Sequence, residues 1–258
     1  MILIAGPCQH ESIEHSQKMF DTIKEIVSGD FYYKCSFDKA NRSSIKGKRG
    51  VGLKQFVEDF EFLKNENPDM KLLTDVHECY QVEYLADIID VFQIPAFLCR
   101  QTDLIVEACS TWKPVNIKKG QFLSYKEVKG ILTKPDPDAE IWITERGTTF
   151  GYNNLVVDMR GLSYMRQVLQ KDYPNMKVIF DATHSVQEPG AGDGVSGGKR
   201  QFVQPLCRAA AAVGVDGFFM EVHDNPTVAP SDGPNMLTPN MYKETLRQID
   251  KIQECFIT

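Results

Sequence analysis

The residues from Lys34 to Ser44 contain a dense set of groups suited to binding an anionic ligand. They read KCSFDKANRSS and follow an aromatic run, residues 31–33, that is typical of the end of a β-strand. Lysine supplies a point charge, arginine a planar pair of donors, and serine and asparagine short neutral donors. This mixture favours an anionic, hydroxylated ligand such as a sugar phosphate. The alternative is an exposed polar loop, which needs charge but not this combination.

Four further residues are of types that bind metal ions. They are Cys8, His184, Glu221 and Asp232. A mixture of sulfur, nitrogen and oxygen donors fits a divalent transition metal better than Mg²⁺ or Ca²⁺. His223 is an alternative imidazole ligand, and a lone cysteine near a strand is often only a buried apolar residue. Because these residues lie far apart in sequence, only a tertiary fold could bring them together.

Basic residues follow several of the predicted strands. They are Lys34, Lys39, Arg42, Lys118 and Arg146. In a chain of formal net charge −6, such a group would focus positive potential in one place. Lys118 and Arg146 each end an apolar strand, so we expect them to point into a binding site. Residues 187–198 are rich in glycine and predict either a loop that closes over this site or an ordinary surface loop.

The elements that position these residues alternate between apolar runs and helical patterns. Strands are predicted at Ile2–Ala5, Phe31–Cys35, Lys71–Val76, Val91–Pro95, Val115–Lys118, Ile141–Glu145, Val178–Ala182 and Gly217–Val222. The last helix is expected to begin at Thr238-Pro239, a capping residue followed by proline, and the seventh to end at Gly214.

Eight such units in 258 residues predict an α/β protein, a single (β/α)8 TIM barrel domain over residues 1–258. In this fold the active site lies at the C-terminal ends of the strands. A doubly wound open sheet is the alternative, but no GxGxxG motif follows the first strand.

Composition disfavours several classes of function. A net charge of −6 argues against a general nucleic-acid binder, which needs a basic face. No apolar run reaches the about 18 residues that a membrane span requires. Met1 leads directly into a strand, so we expect no signal peptide. The seven cysteines form no CxxC pair, which favours a reduced, cytoplasmic setting over a disulfide framework.

A set of motifs in a fixed order resembles one enzyme family. The motifs are KCSFDKANRSS, VNIKKGQF, TERGTTFGYNNLVVDMR, DATHSVQ and SDGPNM, and the likeness runs from Ile4 to about Leu237. The chain is similar to 3-deoxy-D-manno-octulosonate 8-phosphate synthase, also called 2-dehydro-3-deoxyphosphooctonate aldolase. The resemblance implies a (β/α)8 barrel, usually a homotetramer. It also implies condensation of phosphoenolpyruvate with D-arabinose 5-phosphate for lipopolysaccharide (Kdo) biosynthesis.

The same resemblance implies roles for individual residues. The phosphoenolpyruvate site would contain Lys34, Lys39, Gln93, Pro95, Ala96, Lys118 and Arg146. The arabinose 5-phosphate site would contain Asn41, Arg42 and Ser43, and Arg100 would reach the site of a neighbouring subunit. Asp75, after the third strand, is expected to contact the acceptor or to help place a metal ligand. The residues expected to carry the reaction are Lys39, Asn41, Lys118, Arg146 and Asp232.

The family has a metal-dependent form, with cysteine in its GPC motif, and a metal-independent form, with asparagine there. Cys8 implies the metal-dependent form, and Ser231 agrees, because metal-independent members tend to carry cysteine at that place. The implied cofactor is a divalent transition metal, namely Mn, Fe, Co or Zn. Its ligands would be Cys8, His184, Glu221 and Asp232.

Two other functions are weighed against this one. The first is 3-deoxy-D-arabino-heptulosonate 7-phosphate synthase, which uses erythrose 4-phosphate and typically has an acceptor loop resembling KPRTS. This chain has KANRS at residues 39–43. The second is a barrel that senses sugar phosphate without turnover. A sensor would be expected to lack a metal ligand or a substrate lysine, and all of these residue types are present.

Overall fold

Eight parallel strands close a barrel in the computed structural model, which describes residues 1–42, 47–149, 154–188 and 197–256. The strands are β1 (Ile2–Gln9), β2 (Tyr32–Ser36), β3 (Lys71–Asp75), β4 (Val91–Ile94), β5 (Val115–Lys118), β6 (Ile141–Glu145), β7 (Met176–Asp181) and β8 (Gly217–Glu221). Neighbours pair in chain order, and β1 closes the ring against β8. The predicted (β/α)8 barrel is confirmed, and the doubly wound sheet is wrong.

A helix follows each barrel strand. The helices are α1 (Ile13–Ile26), α2 (Leu53–Glu66), α3 (Cys79–Leu85), α4 (Thr102–Ser110), α5 (Val128–Leu132), α6 (Met159–Tyr164), α7 (Val203–Val213) and α8 (Pro239–Glu254). Helix α6 continues through a π-helical turn, Met165–Leu169, into Gln170–Asp172. Within the described ranges, none of the helices has the length and apolarity needed to cross a membrane.

Shorter elements lie in the segments that follow the strands. Single 3-10 turns lie at Ala96–Leu98, Tyr125–Glu127, His184–Val186 and Arg200–Phe202. Two small hairpins pair Thr148–Thr149 with Leu155–Val156 and Gln187–Glu188 with Gly197–Gly198. Both predicted helix boundaries are confirmed. The Thr238 side chain caps α8, and α7 ends at Gly214, whose φ of 87° is a conformation that favours glycine.

Strand β1 extends beyond its predicted end at Ala5 to Gln9. At Gly6 the chain passes so close to β2 that a Cβ atom would lie 2.0 Å from the Lys34 carbonyl oxygen, so a side chain cannot be accommodated. The β1–β2 register then shifts between Ala5 and Cys8, and Cys8 takes a φ of 73°. Such irregularities re-aim side chains near functional sites. Here the irregularity carries Cys8 to the mouth of the barrel.

Two apolar clusters make up the core. The smaller one fills the barrel interior and consists of Ile4, Leu73, Val91, Trp142, Ile179 and Phe219. The larger one lies between the barrel and its helices. Because side chains alternate along a strand, Glu221 lies on the same side as Phe219, two residues before it. The inner cluster is therefore the floor beneath the polar residues at the strand ends.

Phe60 in α2 anchors the helical layer to the barrel. Its fully buried ring lies 4.5 Å from that of Phe56 and 5.0 Å from that of His10. We expect Phe60→Ala to lower the free energy of unfolding by about 3–5 kcal/mol, because a cavity would replace a packed ring. Exposed Glu61→Ala, on the same helix, should change it by about 0.5 kcal/mol or less. Urea unfolding measures both, and equal midpoints would contradict this packing role.

Candidate active site

The polar strand ends surround one cavity of about 520 Å³ at the C-terminal mouth of the barrel. Most residues predicted to bind substrate or metal line it: Lys34, Lys39, Asn41, Arg42, Asp75, Gln93, Pro95, Ala96, Lys118, Arg146, His184 and Asp232. Cys8 and Glu221 are buried next to Asp232. Ser43 lies outside the described residues. Parallel strands bring all their C-terminal ends to one rim, which is why residues distant in sequence meet here.

The four predicted metal ligands meet at one corner of this cavity, called the metal corner below. One ligand atom each from Cys8, Glu221 and Asp232 lies within 4.8 Å of the others. The Cys8 Sγ donates to Asp232 Oδ2 at 3.4 Å, and His184 Nε2 lies 3.5 Å from Glu221 Oε1. Strands β1 and β8 supply the thiol and one carboxylate. The segments that follow β7 and β8 supply the imidazole and the second carboxylate.

The metal corner fits a divalent cation. Glu221 Oε2 is buried and has no hydrogen-bond partner among the described residues, which is costly for a charged oxygen. Burial, together with Glu221, raises the pKa of the Cys8 thiol well above its usual range, so a bound cation is needed to displace its proton. Cys8 and Asp232 have φ values of 73° and 54°. Residues other than glycine adopt such values rarely, and they cluster at functional sites.

Asp181, at the end of β7, orients the imidazole of His184. Its Oδ2 lies 2.8 Å from His184 Nδ1, and its Oδ1 accepts the His184 backbone N–H at 2.9 Å. A carboxylate only accepts, so Nδ1 carries the proton and Nε2 is free to bind a metal. Burial would raise the pKa of Asp181, but His184 and Lys118 lower it well below its usual range. This role of Asp181 was not predicted from the sequence, where the Asp-x-x-His spacing of residues 181–184 is the signal for it.

The alternative imidazole, His223, belongs to a different group of residues. Its Nε2 lies 2.8 Å from Glu11 Oε1, and its ring centroid is 4.8 Å from that of His15 on α1. His184, by contrast, faces Glu221 in the metal corner. The structure therefore favours His184 as the nitrogen ligand that accompanies Cys8.

Lys118 is the buried cation nearest to Asp181. Its Nζ donates to Asp181 Oδ2 at 2.5 Å and lies 3.1 Å from the centroid of the Phe219 ring. Burial lowers the pKa of Lys118 to about 8, although Asp181 acts in the opposite direction. Lys118 also lines the cavity, so an anion bound there would favour its charged form.

Lys34 connects β2 to the metal corner. Its Nζ donates to the Cys8 carbonyl oxygen at 3.0 Å and to Glu221 Oε1 at 3.2 Å. Burial alone would lower the pKa of Lys34, but the adjacent Glu221 carboxylate raises it well above its usual range. Lys34 therefore remains charged and balances part of the negative charge in this corner.

Arg146 is linked to the metal corner through Gln187, whose role was not predicted from the sequence. Its Nη2 donates to Gln187 Oε1, and Gln187 Nε2 donates to Asp232 Oδ1 at 2.6 Å. The Arg146 Nη1 atom is buried and has no partner among the described residues. A buried, unpaired guanidinium donor is suited to an anionic ligand. The sequence signal for Gln187 is its place at the end of the DATHSVQ motif, three residues after His184.

Asp75 acts on Lys39 through an intermediate hydroxyl group. Lys39 Nζ donates to Ser36 Oγ at 2.8 Å, and Ser36 Oγ donates to Asp75 Oδ1 at 2.5 Å. Burial would raise the pKa of Asp75, but Lys39 and Lys34 lower it well below its usual range. Asp75 thus stays charged and helps to position Lys39. It also lines the cavity, and its expected contact with the acceptor stays a prediction.

Arg42 links the loop after β2 to the loop after β8. Its Nη1 donates to Ser231 Oγ at 2.9 Å, and its Nη2 donates to the Pro230 carbonyl oxygen at 2.8 Å. Ser231 Oγ in turn donates to Asp232 Oδ2 at 2.6 Å. Asn41 is exposed and lines the same side of the cavity. The acceptor side predicted from sequence is therefore hydrogen-bonded to the metal corner.

The remaining predicted residues divide between the cavity and the surface. Gln93 is buried, and its Oε1 accepts from Asn116 Nδ2 at 2.9 Å. Pro95 and Ala96 line the cavity next to it. Arg100 is exposed and is not among the described residues that line its own cavity, so its role at a neighbouring subunit stays a prediction. Of the glycine-rich segment 187–198, the structure describes only the paired ends, 187–188 and 197–198.

The fold and the site define a class of protein: a (β/α)8 barrel with buried cations beside a thiol, imidazole and carboxylate ligand set. The chain belongs to the DAHP synthetase I family, whose model matches residues 1–256.

Curated relatives in this family match over nearly the whole chain. A protein of Wolinella succinogenes is 51% identical over 270 residues, covering 98% of this chain and 100% of the relative. One of Helicobacter hepaticus is 49% identical over 98% of this chain and 97% of its own. A protein of Chelativorans sp. is 52% identical over 92% of this chain and 85% of its own length. All three are named 2-dehydro-3-deoxyphosphooctonate aldolase, which confirms the resemblance drawn from the motifs.

Lys118 must be protonated to attract an anion, so we expect anion affinity to depend on pH. The affinity for sulfate should be fully present below pH 8 and should fall as Lys118 loses its proton above pH 8. Isothermal titration calorimetry at constant metal content measures this. Lys118→Arg should keep its affinity above pH 8, because a guanidinium stays charged. Affinities of the wild-type protein that are equal on both sides of pH 8 would contradict the lowered pKa.

Proposed function

We propose that this chain condenses phosphoenolpyruvate with D-arabinose 5-phosphate and water to give 3-deoxy-D-manno-octulosonate 8-phosphate and phosphate. The observation that carries this proposal is the single cavity that joins Lys118 and Arg146 to the metal corner. Such a cavity suits a phosphorylated carboxylate next to a polarised oxygen. The name shared by relatives about half identical to this chain supports these two substrates.

The enolpyruvate is held mainly by buried cations. Arg146 offers an unpaired Nη1, and Lys118 lies against Asp181 at the cavity wall. Together they neutralise the phosphate and carboxylate groups, with Lys34 and Gln93 alongside. Charges buried in this way interact more strongly with a ligand than charges in water do, and they need no reorganisation during the reaction.

The pentose phosphate enters from the side of Asn41 and Arg42. Lys39 lies between this side and the enolpyruvate, supported by Ser36 and Asp75. Asn41 supplies a short donor for the hydroxyl groups, and Arg42 supplies charge for the phosphate. Holding the two substrates face to face converts their encounter into a reaction within one complex.

The metal would be held by Cys8, His184, Glu221 and Asp232. When bound, a divalent transition metal (Mn, Fe, Co or Zn) supplies positive charge that polarises an oxygen atom or orients water. Asp181 keeps the Nε2 of His184 available for it, and Gln187 fixes Asp232. Lys34 limits the negative charge that accumulates in the corner.

The reaction then proceeds by carbon–carbon bond formation and hydration. C3 of phosphoenolpyruvate attacks the aldehyde carbon, using the electron pair of the enol double bond, and the aldehyde oxygen takes up a proton to become a hydroxyl group. Cationic character develops at C2, where water adds and gives up one proton, which balances the proton taken up. The bond between C2 and the phosphate oxygen then breaks, the C2 hydroxyl proton passes to the departing phosphate, and the keto acid remains. Lys118 and Arg146 stabilise the departing phosphate by electrostatic attraction.

The heptulosonate synthase reaction is the main competing function, because the family's description names that activity. The KANRS loop at residues 39–43 departs from the KPRTS pattern and favours the longer acceptor. A sensor without turnover is disfavoured, because the ligand types of the metal corner and the substrate lysines all converge.

Assembly into a homotetramer is also part of this proposal. Phe97 lines the cavity and is 57% exposed, and Arg100, one turn further along, is exposed as well. An exposed aromatic ring at the mouth of the cavity offers apolar surface that a neighbouring subunit could cover. A neighbouring subunit that covers Phe97 would receive Arg100 at the edge of its own site.

We place the reaction in the cytoplasm, as a step of lipopolysaccharide biosynthesis. All seven cysteines are free, and five of them are buried in the folded chain. Unpaired thiols, one of them a proposed metal ligand, are suited to a reducing compartment.

The choice of acceptor tests the proposed reaction. Phosphate should be released from phosphoenolpyruvate at least about tenfold faster with arabinose 5-phosphate as the acceptor than with erythrose 4-phosphate. The reason is that donors placed for hydroxyl groups reject a ligand that lacks them. Asn41→Ala should bring the rates with the two sugars closer together. A phosphate-release assay with each sugar measures both rates. Equal or reversed rates would assign the chain to the heptulosonate class.

Removal of the metal tests the cofactor. Chelation should abolish activity, and Mn²⁺, Co²⁺ or Fe²⁺ should restore it. Cys8→Ala should lose bound metal and activity together, whereas Cys207→Ala, at a buried cysteine in α7, should keep both. Cys8→Asn, which installs the residue of the metal-independent form, should keep some turnover in chelator. Elemental analysis gives the metal content. Full wild-type activity with no detectable metal would contradict this role of Cys8.

A further inference from the structure

A second group of metal-ligating side chains lies outside the catalytic cavity, between α1 and the end of β8. It is formed by Glu11, His15 and His223 and is called the outer cluster below. One ligand atom from each residue lies within 4.8 Å of the others. Glu11 follows β1, His15 is on α1, and His223 follows β8. The proposed reaction uses none of the three.

The hydrogen bonds of His15 leave one of its nitrogens without a partner. His15 Nε2 lies 3.2 Å from Asp224 Oδ1, and a carboxylate only accepts, so Nε2 carries the proton. The neutral ring therefore has a bare lone pair on Nδ1. This Nδ1 is buried, has no hydrogen-bond partner among the described residues, and lies 3.7 Å from Glu11 Oε1. A lone pair thus faces a carboxylate oxygen across a gap that suits a cation.

His223 is placed to complete the same set. Its Nε2 lies 2.8 Å from Glu11 Oε1, and its Nδ1 lies 3.0 Å from Asp224 Oδ1. The Asn225 N–H donates to His223 Nδ1 at 2.9 Å and to Asp224 Oδ1 at 3.0 Å, so Nδ1 accepts and Nε2 carries the ring proton that faces Glu11. When Nε2 binds a cation, its proton is released to solvent. Nδ1 takes up a proton from solvent in exchange and donates it to Asp224 Oδ1, while the Asn225 N–H keeps Asp224 Oδ1 as its acceptor.

Asp224 therefore has the position of an outer carboxylate for two imidazoles. Its Oδ1 lies within hydrogen-bond distance of the non-ligating nitrogens of both His15 and His223. Its Oδ2 accepts from Lys18 Nζ at 2.6 Å, which fixes the carboxylate in place. Metal-bound histidines generally donate their second N–H to such a carboxylate, which sets the tautomer and the ring orientation.

We propose that the outer cluster is a second metal site, which binds a divalent transition ion such as Zn²⁺ through Glu11 Oε1, His15 Nδ1 and His223 Nε2. Two nitrogens and one carboxylate oxygen favour such an ion over Mg²⁺ or Ca²⁺. The side chain of Glu11 is 34% exposed, which leaves room for water at a fourth position. The ion would brace the exits of β1 and β8, the two strands that carry Cys8 and Glu221.

The test separates the outer cluster from the metal corner. In Cys8→Ala, which impairs the metal corner, isothermal titration with Zn²⁺ should still detect one ion bound with His15-dependent affinity. Adding His15→Gln should remove that ion. Adding Asp224→Asn instead should weaken its binding about 10- to 100-fold. Adding Glu14→Gln, at an exposed carboxylate on α1, should change nothing. Circular dichroism confirms that each variant is folded.

Cobalt(II) gives a spectroscopic readout that does not depend on activity. Co²⁺ bound by Cys8 gives a thiolate-to-metal charge-transfer band, whereas the outer cluster should give only the weaker d–d bands of nitrogen and oxygen ligation. Those bands should persist in Cys8→Ala and disappear when His15→Gln is added. Equal metal binding by Cys8→Ala with and without His15→Gln would overturn the proposal. If instead the metal corner bound no metal, only the Cys8-dependent charge-transfer band would be missing. The d–d bands of the outer cluster would remain.

Discussion

The site depends on one buried carboxylate oxygen, Asp181 Oδ2, which contacts both Lys118 Nζ and His184 Nδ1. Asp181 has no exposed surface, so its charge must be balanced within the protein. Lys118 belongs to the side of the cavity that receives an anion, and His184 belongs to the metal corner. A single charge therefore fixes the two halves of the site relative to each other. Its loss would leave Lys118 without its ion-pair partner and His184 without a defined tautomer.

Two buried atoms at the cavity favour ligands of opposite charge. Among the described residues, Glu221 Oε2 is an acceptor without a partner and Arg146 Nη1 is a donor without one. A cation would satisfy the first and an anion the second. The two are connected through the bonds from Arg146 to Gln187 and from Gln187 to Asp232. These charged groups are thus already in place before a ligand binds, and such preorganisation is what electrostatic catalysis requires.

The same construction occurs twice at the junction where the barrel closes. Asp181 orients His184 on the inside, and Asp224 contacts His15 and His223 on the outside. Asp181 selects the nitrogen of His184 that keeps its proton, and Asp224 does the same for His15. The metal corner and the outer cluster both contain residues at the C-terminal ends of β1 and β8, and the pairing of these two strands closes the barrel. Strand closure, rather than any local motif, is what gathers these residues.

The sequence by itself determined the eight strands, the barrel and the ligand types, because apolar periodicity and motif spacing are local properties of the chain. It placed the end of β1 too early, since Gly6-Pro7 reads locally as a strand break. The tertiary structure decided that β1 continues, because pairing with β8 and β2 satisfies that segment. It also decided the contacts of Asp181 and Gln187 and the meeting of the three residues of the outer cluster. Their meaning lies in distances of a few ångströms between residues far apart in the chain, and only the closed barrel sets those distances.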